Sequence, residues 1–198
     1  EDVKSEMFTN TNSSTAKEKI DTWYEENMTD YTRYLEDTVW CDDRNFSAGS
    51  LKGKDEDASS APVSPFGAYE RNYTTSNPSL ECTNRNDSFT VNSENGNGAL
   101  TYPVAMLTAD ELTLSGNGSK GYSRNSYLFT GESYWTISPY NFSGSNTFKF
   151  YINNLGILTS SSPTTNAGLR PSISLAPGTL IVEGDGRDAS PYEILTDW

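Results

Sequence analysis

TFKFYINNLGILTS, residues 147–160, decides the fold class. Phe148, Phe150 and Ile152 recur at every second position with Thr147, Lys149 and Tyr151 between them, the alternation of a strand with one buried face. Asn153-Asn154-Leu155-Gly156 supplies turn residues, and Ile157 to Ser160 returns as the hairpin partner. Shorter strand patterns lie on either side. Tyr134 to Ile137 precedes the hairpin, while Leu169 to Leu175 and Leu180 to Val182 follow it, the last running into the Gly184-Asp185-Gly186 turn.

Helical periodicity belongs to the earlier part of the chain. Ala16, Ile20, Trp23 and Tyr24 fall on one face of a helix expected over Thr15 to Asn27, with Thr15 and Glu18 as a capping-box pair. Tyr31, Tyr34, Leu35 and Val39 continue the spacing after a break near Met28 and Thr29, which predicts a second short helix before Trp40 and Cys41. Leu100 to Leu107 is apolar and leads into Thr108 and Glu111, a further capping box that opens a short helix ending at Ser115-Gly116-Asn117-Gly118. Asn45 to Pro78 has neither period and reads as a long ordered loop rich in Gly, Ser and Pro, with the acidic run Asp55-Glu56-Asp57 inside it. Helices first and a small antiparallel sheet afterwards make an α+β arrangement, expected as a single domain over residues 1–198.

Composition narrows the function. With 27 acidic residues against 14 basic ones the chain carries a net charge of -13, and no cluster of Lys and Arg offers a nucleic acid or an anionic membrane a footing. No apolar run is long enough to insert directly into a membrane, and the chain opens on Glu1 and Asp2 rather than on a basic and apolar signal segment. The absence of histidine removes Ser-His and Cys-His nucleophiles and imidazole acid–base steps, so no catalytic residues are assigned. Asp42-Asp43 and the Glu183 to Asp188 run match no calcium loop and read as solvated turn acids, so no metal or other cofactor is expected. Cys41 and Cys82 belong to no CxxC pair. They read as a disulfide, worth about 4 kcal/mol in the chain-entropy account and typical of compartments outside the cytoplasm, with two buried thiols as the alternative. Trp135 reads as a core residue, and Arg170 as a partner for a buried carboxylate or for carbonyls.

In so acidic a chain, residues 138–171 contain no Asp or Glu. Asn, Ser, Thr and Tyr fill them, side chains that offer adaptable hydrogen bonds and amphipathic area without a fixed charge, as antibody paratopes do. A Ser/Thr-rich hairpin would explain the alternation. It would not explain the runs over Asn141 to Asn146 and Thr159 to Asn166.

The stretches IDTWYEENM, YLEDTVWCDDR, LTYPVAMLTADEL, YWTISP, GLRPSISL and GDGRDASPYEI resemble C-type-lectin-like domains of the formylglycine-generating-enzyme branch that serve as variable proteins of diversity-generating retroelements. The resemblance is nearest to secreted or pilus-associated proteins of Gram-positive gut bacteria. It implies a C-type-lectin-like fold, with short N-terminal helices packed on a small antiparallel sheet amid long irregular loops. It implies an extracellular or cell-surface location. It also implies a binding surface rewritten at adenines of Asn codons, and every residue from Tyr140 to Ala167 except Lys149 lies in the set such codons reach. Phe142, Phe150, Ile152, Gly156, Leu158 and Gly168 to Pro171 would be the fixed scaffold.

The expected contacts are Tyr140, Asn141, Ser143, Asn146, Lys149, Tyr151, Asn153, Thr159, Ser161 and Thr164, facing a protein or glycan ligand on another cell, phage or host surface. The copper-binding cysteines of the enzyme branch lie late in the chain and both cysteines here lie early, so oxidase activity is not implied. A Glu-Pro-Asn motif for calcium-dependent sugar binding is missing too. The alternative function is a structural or minor pilin-type surface subunit whose Ser/Asn-rich face only keeps it soluble.

Overall fold

In a computed structural model of the chain, residues 9–47, 64–118, 124, 126–143, 146–187 and 189–196 are described. The acidic run Asp55-Glu56-Asp57 lies outside them. Helix α1 (Thr15–Asn27) has the expected bounds and turns Ile20 and Tyr24 into the interior. Its cap sits one residue earlier than expected. Ser14 has the extended backbone a cap needs, and its side chain accepts a hydrogen bond from the Lys17 backbone N–H at 3.2 Å, which makes Thr15 the first helical residue. The second helix expected up to Val39 shortens to one 3-10 segment, Thr29–Tyr34. It stops because the chain extends into β1 (Leu35–Glu36), which leaves Tyr34 buried and Tyr31 and Val39 exposed.

Next come β2 (Trp40–Cys41), β3 (Ser64–Pro65) and α2 (Gly67–Tyr69), and α2 continues as a π turn over Glu70–Thr74. This helical stretch replaces the end of the expected loop. Asn72 holds it by donating to the Ala68 carbonyl at 2.8 Å, while Tyr69 and Tyr73 stack with ring centroids 5.4 Å apart. Beyond β4 (Ser88–Phe89), the capping box of α3 (Ala109–Leu114) forms as expected. The Thr108 hydroxyl accepts from the Glu111 N–H at 3.0 Å, and the Glu111 carboxylate accepts from the Thr108 N–H at 2.7 Å.

Strands β5 (Tyr134–Ser143), β6 (Asn146–Ile152) and β7 (Leu158–Ser161) join β3 in an antiparallel sheet of order β3-β5-β6-β7. Two-stranded pairs complete the chain: β2 with β4, β1 with β8 (Ser174–Leu175), and β9 (Ile181–Glu183) with β10 (Glu193–Ile194). The expected strand over Leu169 to Leu175 is reduced to β8 and a single bridge between Ala105 and Ser172. The protein is thus a mixture of helices and small antiparallel sheets.

β5 runs past the expected end at Ile137. Proline is tolerated inside a sheet only where the ladder is broken, and here the register between β5 and β6 shifts on both sides of Pro139. Buried hydroxyls take over the interrupted ladder. Thr136 donates to the Phe150 carbonyl at 3.0 Å and accepts from the Ser138 N–H at 3.2 Å, and Ser138 accepts from the Ala109 N–H at 3.0 Å.

The inner face of the sheet carries Phe150, Ile152 and Leu158, all wholly buried, and packs on Ala68, Ala109 and Leu112 of α2 and α3. Phe142 is buried against Phe66 in a smaller cluster. Gly156 closes the β6–β7 turn with φ +78°, a conformation costly to residues with a Cβ. Arg170 meets a carbonyl as expected, donating to Leu128 at 2.7 Å, and its guanidinium lies 4.9 Å from the Tyr134 ring centroid. α1 packs elsewhere, its Ile20 and Tyr24 against Val104.

Cys41 and Cys82 are joined in a disulfide, which settles the choice between disulfide and free thiols. The acids beside Cys41 are not the solvated turn residues expected. Asp42 is buried, with its N–H donating to the Asp87 carbonyl at 3.0 Å. Asp43 pairs with Arg71 Nη1 at 2.7 Å, and the same guanidinium grips Asp110 through Nε and Nη2 at 2.9 Å each. Their partners are distant in sequence, which is why spacing alone conceals the pairing.

Candidate functional site

Successive residues of a strand point to opposite faces, so the closed inner face of β6 and β7 dictates what the outer face displays. Lys149 stands opposite Ser161 on the ladder, and Tyr151 stands opposite both Trp135 and Thr159. Directly opposed residues share a face. The Trp135 and Tyr151 rings meet with centroids 5.4 Å apart, an aromatic shelf at one end of this surface. At the other end Ser161 shares a hydrogen bond of 2.7 Å with Thr165, and Ser162 one of 3.0 Å with Thr164, which folds the segment after β7 into a compact turn.

A cleft of about 280 Å³ opens between this surface and the first turn of α1. Trp135, Phe148 and Met106 give it apolar walls, while Thr15, Thr164 and Lys149 bring hydroxyls and an amine. A smaller recess of about 120 Å³ adjoins it and shares Ser14, Met106 and Lys149. Lys149 therefore lines both lobes. Behind them Arg44 and Asp87 form a buried ion pair at 2.7 Å, and Arg44 Nη2 also donates to Asn10 Oδ1 and to the Asn86 carbonyl, each at 2.9 Å. Burial pushes the Asp87 carboxyl up and the Arg44 guanidinium works against that push. Arg44 of this pair lines both the cleft and the recess.

Of the ten expected contacts, Lys149, Tyr151, Thr159, Ser161 and Thr164 come together here. Ser143 and Asn146 pair across the tip of the β5–β6 hairpin, and their side chains lie outside the described residues. Two others have structural work, and a third is partly closed off. Tyr140 is set edge-on to Tyr69, Tyr73 and Phe150, with centroids 5.0, 5.5 and 4.9 Å away, and burial pushes its phenol up. It belongs to the rim of the core. Asn141 has its side-chain carbonyl closed off from solvent with no donor among the described residues, so that oxygen is not displayed. Asn153 builds the β6–β7 turn, its side-chain oxygen accepting from the Leu155 and Ile157 N–H groups at 3.0 Å each.

Trp135 moves the other way. Expected in the core, it is half-buried at the mouth of the cleft. The sequence signal points inward, since Trp135 and Ile137 alternate with Tyr, Thr and Ser; in the fold Tyr134 and Thr136 are buried, and the strand then turns Trp135 outward. Met106, Thr15 and Ala16 had no signal for the cleft, since only the tertiary fold brings them to β6. Against protein-family models, curated proteins and solved structures, the chain has no match.

Proposed function

We propose that the protein is an extracellular ligand-binding module of C-type-lectin-like fold whose outer β6–β7 face and adjoining cleft take up a protein or glycan ligand. On this reading the surface is the variable part of a retroelement-diversified protein. One observation carries the binding role. The hairpin buries Phe150, Ile152 and Leu158 on one face and gathers uncharged polar side chains, Tyr151 and one lysine on the other, beside a cleft with an aromatic wall. Such a cleft suits one sugar ring or one anchoring side chain, with Trp135 and Phe148 for stacking area and hydroxyls for orientation. The disulfide supports a location outside the cytoplasm. The helix–disulfide–sheet order and the long irregular connections support the lectin-like fold.

The test is a screen of the intact protein on arrays of glycans and surface proteins, in parallel with a Lys149→Ala/Tyr151→Ala double variant. A ligand of this face loses at least about tenfold in affinity with the variant, a hot-spot effect, while the melting temperature moves by no more than about 2 °C. Ligands bound equally by both proteins would refute the assignment.

A further inference from the structure

Where the main sheet closes one face, strand β9 of the β9–β10 ribbon closes neither. All three β9 residues are exposed, Ile181 at 55% and Val182 at 56%. Neighbouring residues of a strand point to opposite faces, so both faces of β9 are open. Leu180 and Tyr192 beside the ribbon are exposed as well. β9 pairs with β10 alone, and among the described residues no strand occupies its second edge.

A two-stranded ribbon is marginal in water by itself. This one is held at its ends. Leu195 donates its N–H to the Leu180 carbonyl at 2.9 Å, and Arg33 Nη2 donates to the Thr196 carbonyl at 3.0 Å. At the turn a Cβ on Gly184 would lie 2.0 Å from the Pro191 carbonyl oxygen, so the arms approach as only glycine allows. The fold thus holds out an apolar strand with an open edge, a feature that proteins ordinarily blunt.

The two rungs of the ribbon differ in kind. Ile181 stands opposite Ile194, and Glu183 opposite Glu193. Like charges directly across a ladder repel, and a cation beside them relieves that repulsion. We propose that the open edge of β9 docks an extended segment of a basic protein partner. The segment adds a strand beside Ile181–Glu183, with an apolar side chain at the isoleucine rung and a Lys or Arg at the glutamate rung. Main-chain hydrogen bonds supply affinity and the two rungs fix register. A net charge of -13 favours a basic partner over a second copy, which would bring like charge to like. None of these residues lines the cleft of Trp135 and Lys149, so this inference is independent of the proposed ligand face.

The experiment titrates the nitrogen-15-labelled full chain with a blocked short peptide of repeated Val-Thr-Lys-Thr units, which puts valine and lysine two positions apart, and with the counterpart that carries glutamate in place of lysine. The lysine peptide binds at least about tenfold more tightly, as expected for complementary charge, and loses affinity as salt is raised. It shifts the amide resonances of residues 180–183 and spares those of Lys149 and Tyr151, and N-methylation of its backbone abolishes the effect. A Glu183→Lys/Glu193→Lys variant that melts with the wild type prefers the glutamate peptide. No binding of the lysine peptide, equal affinity for both peptides, or shifts centred elsewhere would overturn the proposal. So would concentration-dependent dimerisation that protects residues 181–183, which would make a second copy the occupant.

Discussion

The two faces of the β6–β7 hairpin share one backbone and differ in everything else. Inward, Phe150, Ile152 and Leu158 are wholly buried, and the Tyr140 ring packs edge-on against Phe150, Tyr69 and Tyr73. Outward, Lys149, Tyr151, Thr159 and Ser161 stand between an aromatic shelf and a cleft. The difference teaches that a chain can confine its specificity of folding to alternate residues and leave the intervening ones open to change. The cost of altering a side chain should then depend on its parity along the strand.

The largest effect comes from breaking the inner face. Phe150→Ala removes a ring with no solvent exposure and should cost about 3 to 5 kcal/mol in a urea unfolding experiment. Tyr140→Ala comes next at about 2 to 3 kcal/mol, because its ring touches three others at the rim of the core; Tyr140→Phe keeps the packing and should cost under about 1 kcal/mol. A small loss for Tyr140→Ala would return this residue to the displayed surface.

A pH titration sharpens the same contrast. Burial pushes the phenols of Tyr73, Tyr134 and Tyr140 above their ordinary 10.0, so the folded chain holds these protons more tightly than the unfolded one. The stability linked to them is complete below about pH 10 and is lost as pH rises through the folded values. Denaturant midpoints followed from pH 8 to 11 should therefore fall on the alkaline side, and less steeply in Tyr140→Phe. The smallest effects belong to the outer face, where Thr164→Ala and Lys149→Ala should each change stability by no more than about 0.5 kcal/mol by the same measurement.

What was legible in the sequence was local. The span of α1, the Thr108–Glu111 capping box and the Asn153 to Gly156 turn each depend on residues within a few positions of one another, and each forms as expected. The alternation over Thr147 to Ile152 likewise placed Phe150 and Ile152 inside, but Phe148, expected on the same buried face, is half-buried on the wall of the cleft where the register with β5 has shifted. What was not legible depended on distant partners. Pro139 reads as a strand breaker until the register shifts around it are known. The aromatics of residues 67–74 have no period of their own and are ordered by Tyr140 and Phe150. Asp43 reads as a turn acid without Arg71, and the cleft exists only because α1 begins beside β6. Tyr140 and Asn141 misled for a related reason, since composition marks polar and aromatic residues for display while the fold packs the Tyr140 ring on the rim of the core and closes off the Asn141 side-chain carbonyl.

Two libraries test the central claim most directly. One randomises Lys149, Tyr151, Thr159, Ser161 and Thr164 together, and the other randomises Phe150, Ile152 and Leu158; the readout is the fraction of displayed clones that resist protease. The account predicts that most outer-face clones remain folded and very few inner-face clones do. Equal intolerance in the two libraries would contradict it, and the outer face would then be part of the fold instead of a surface held out for a ligand.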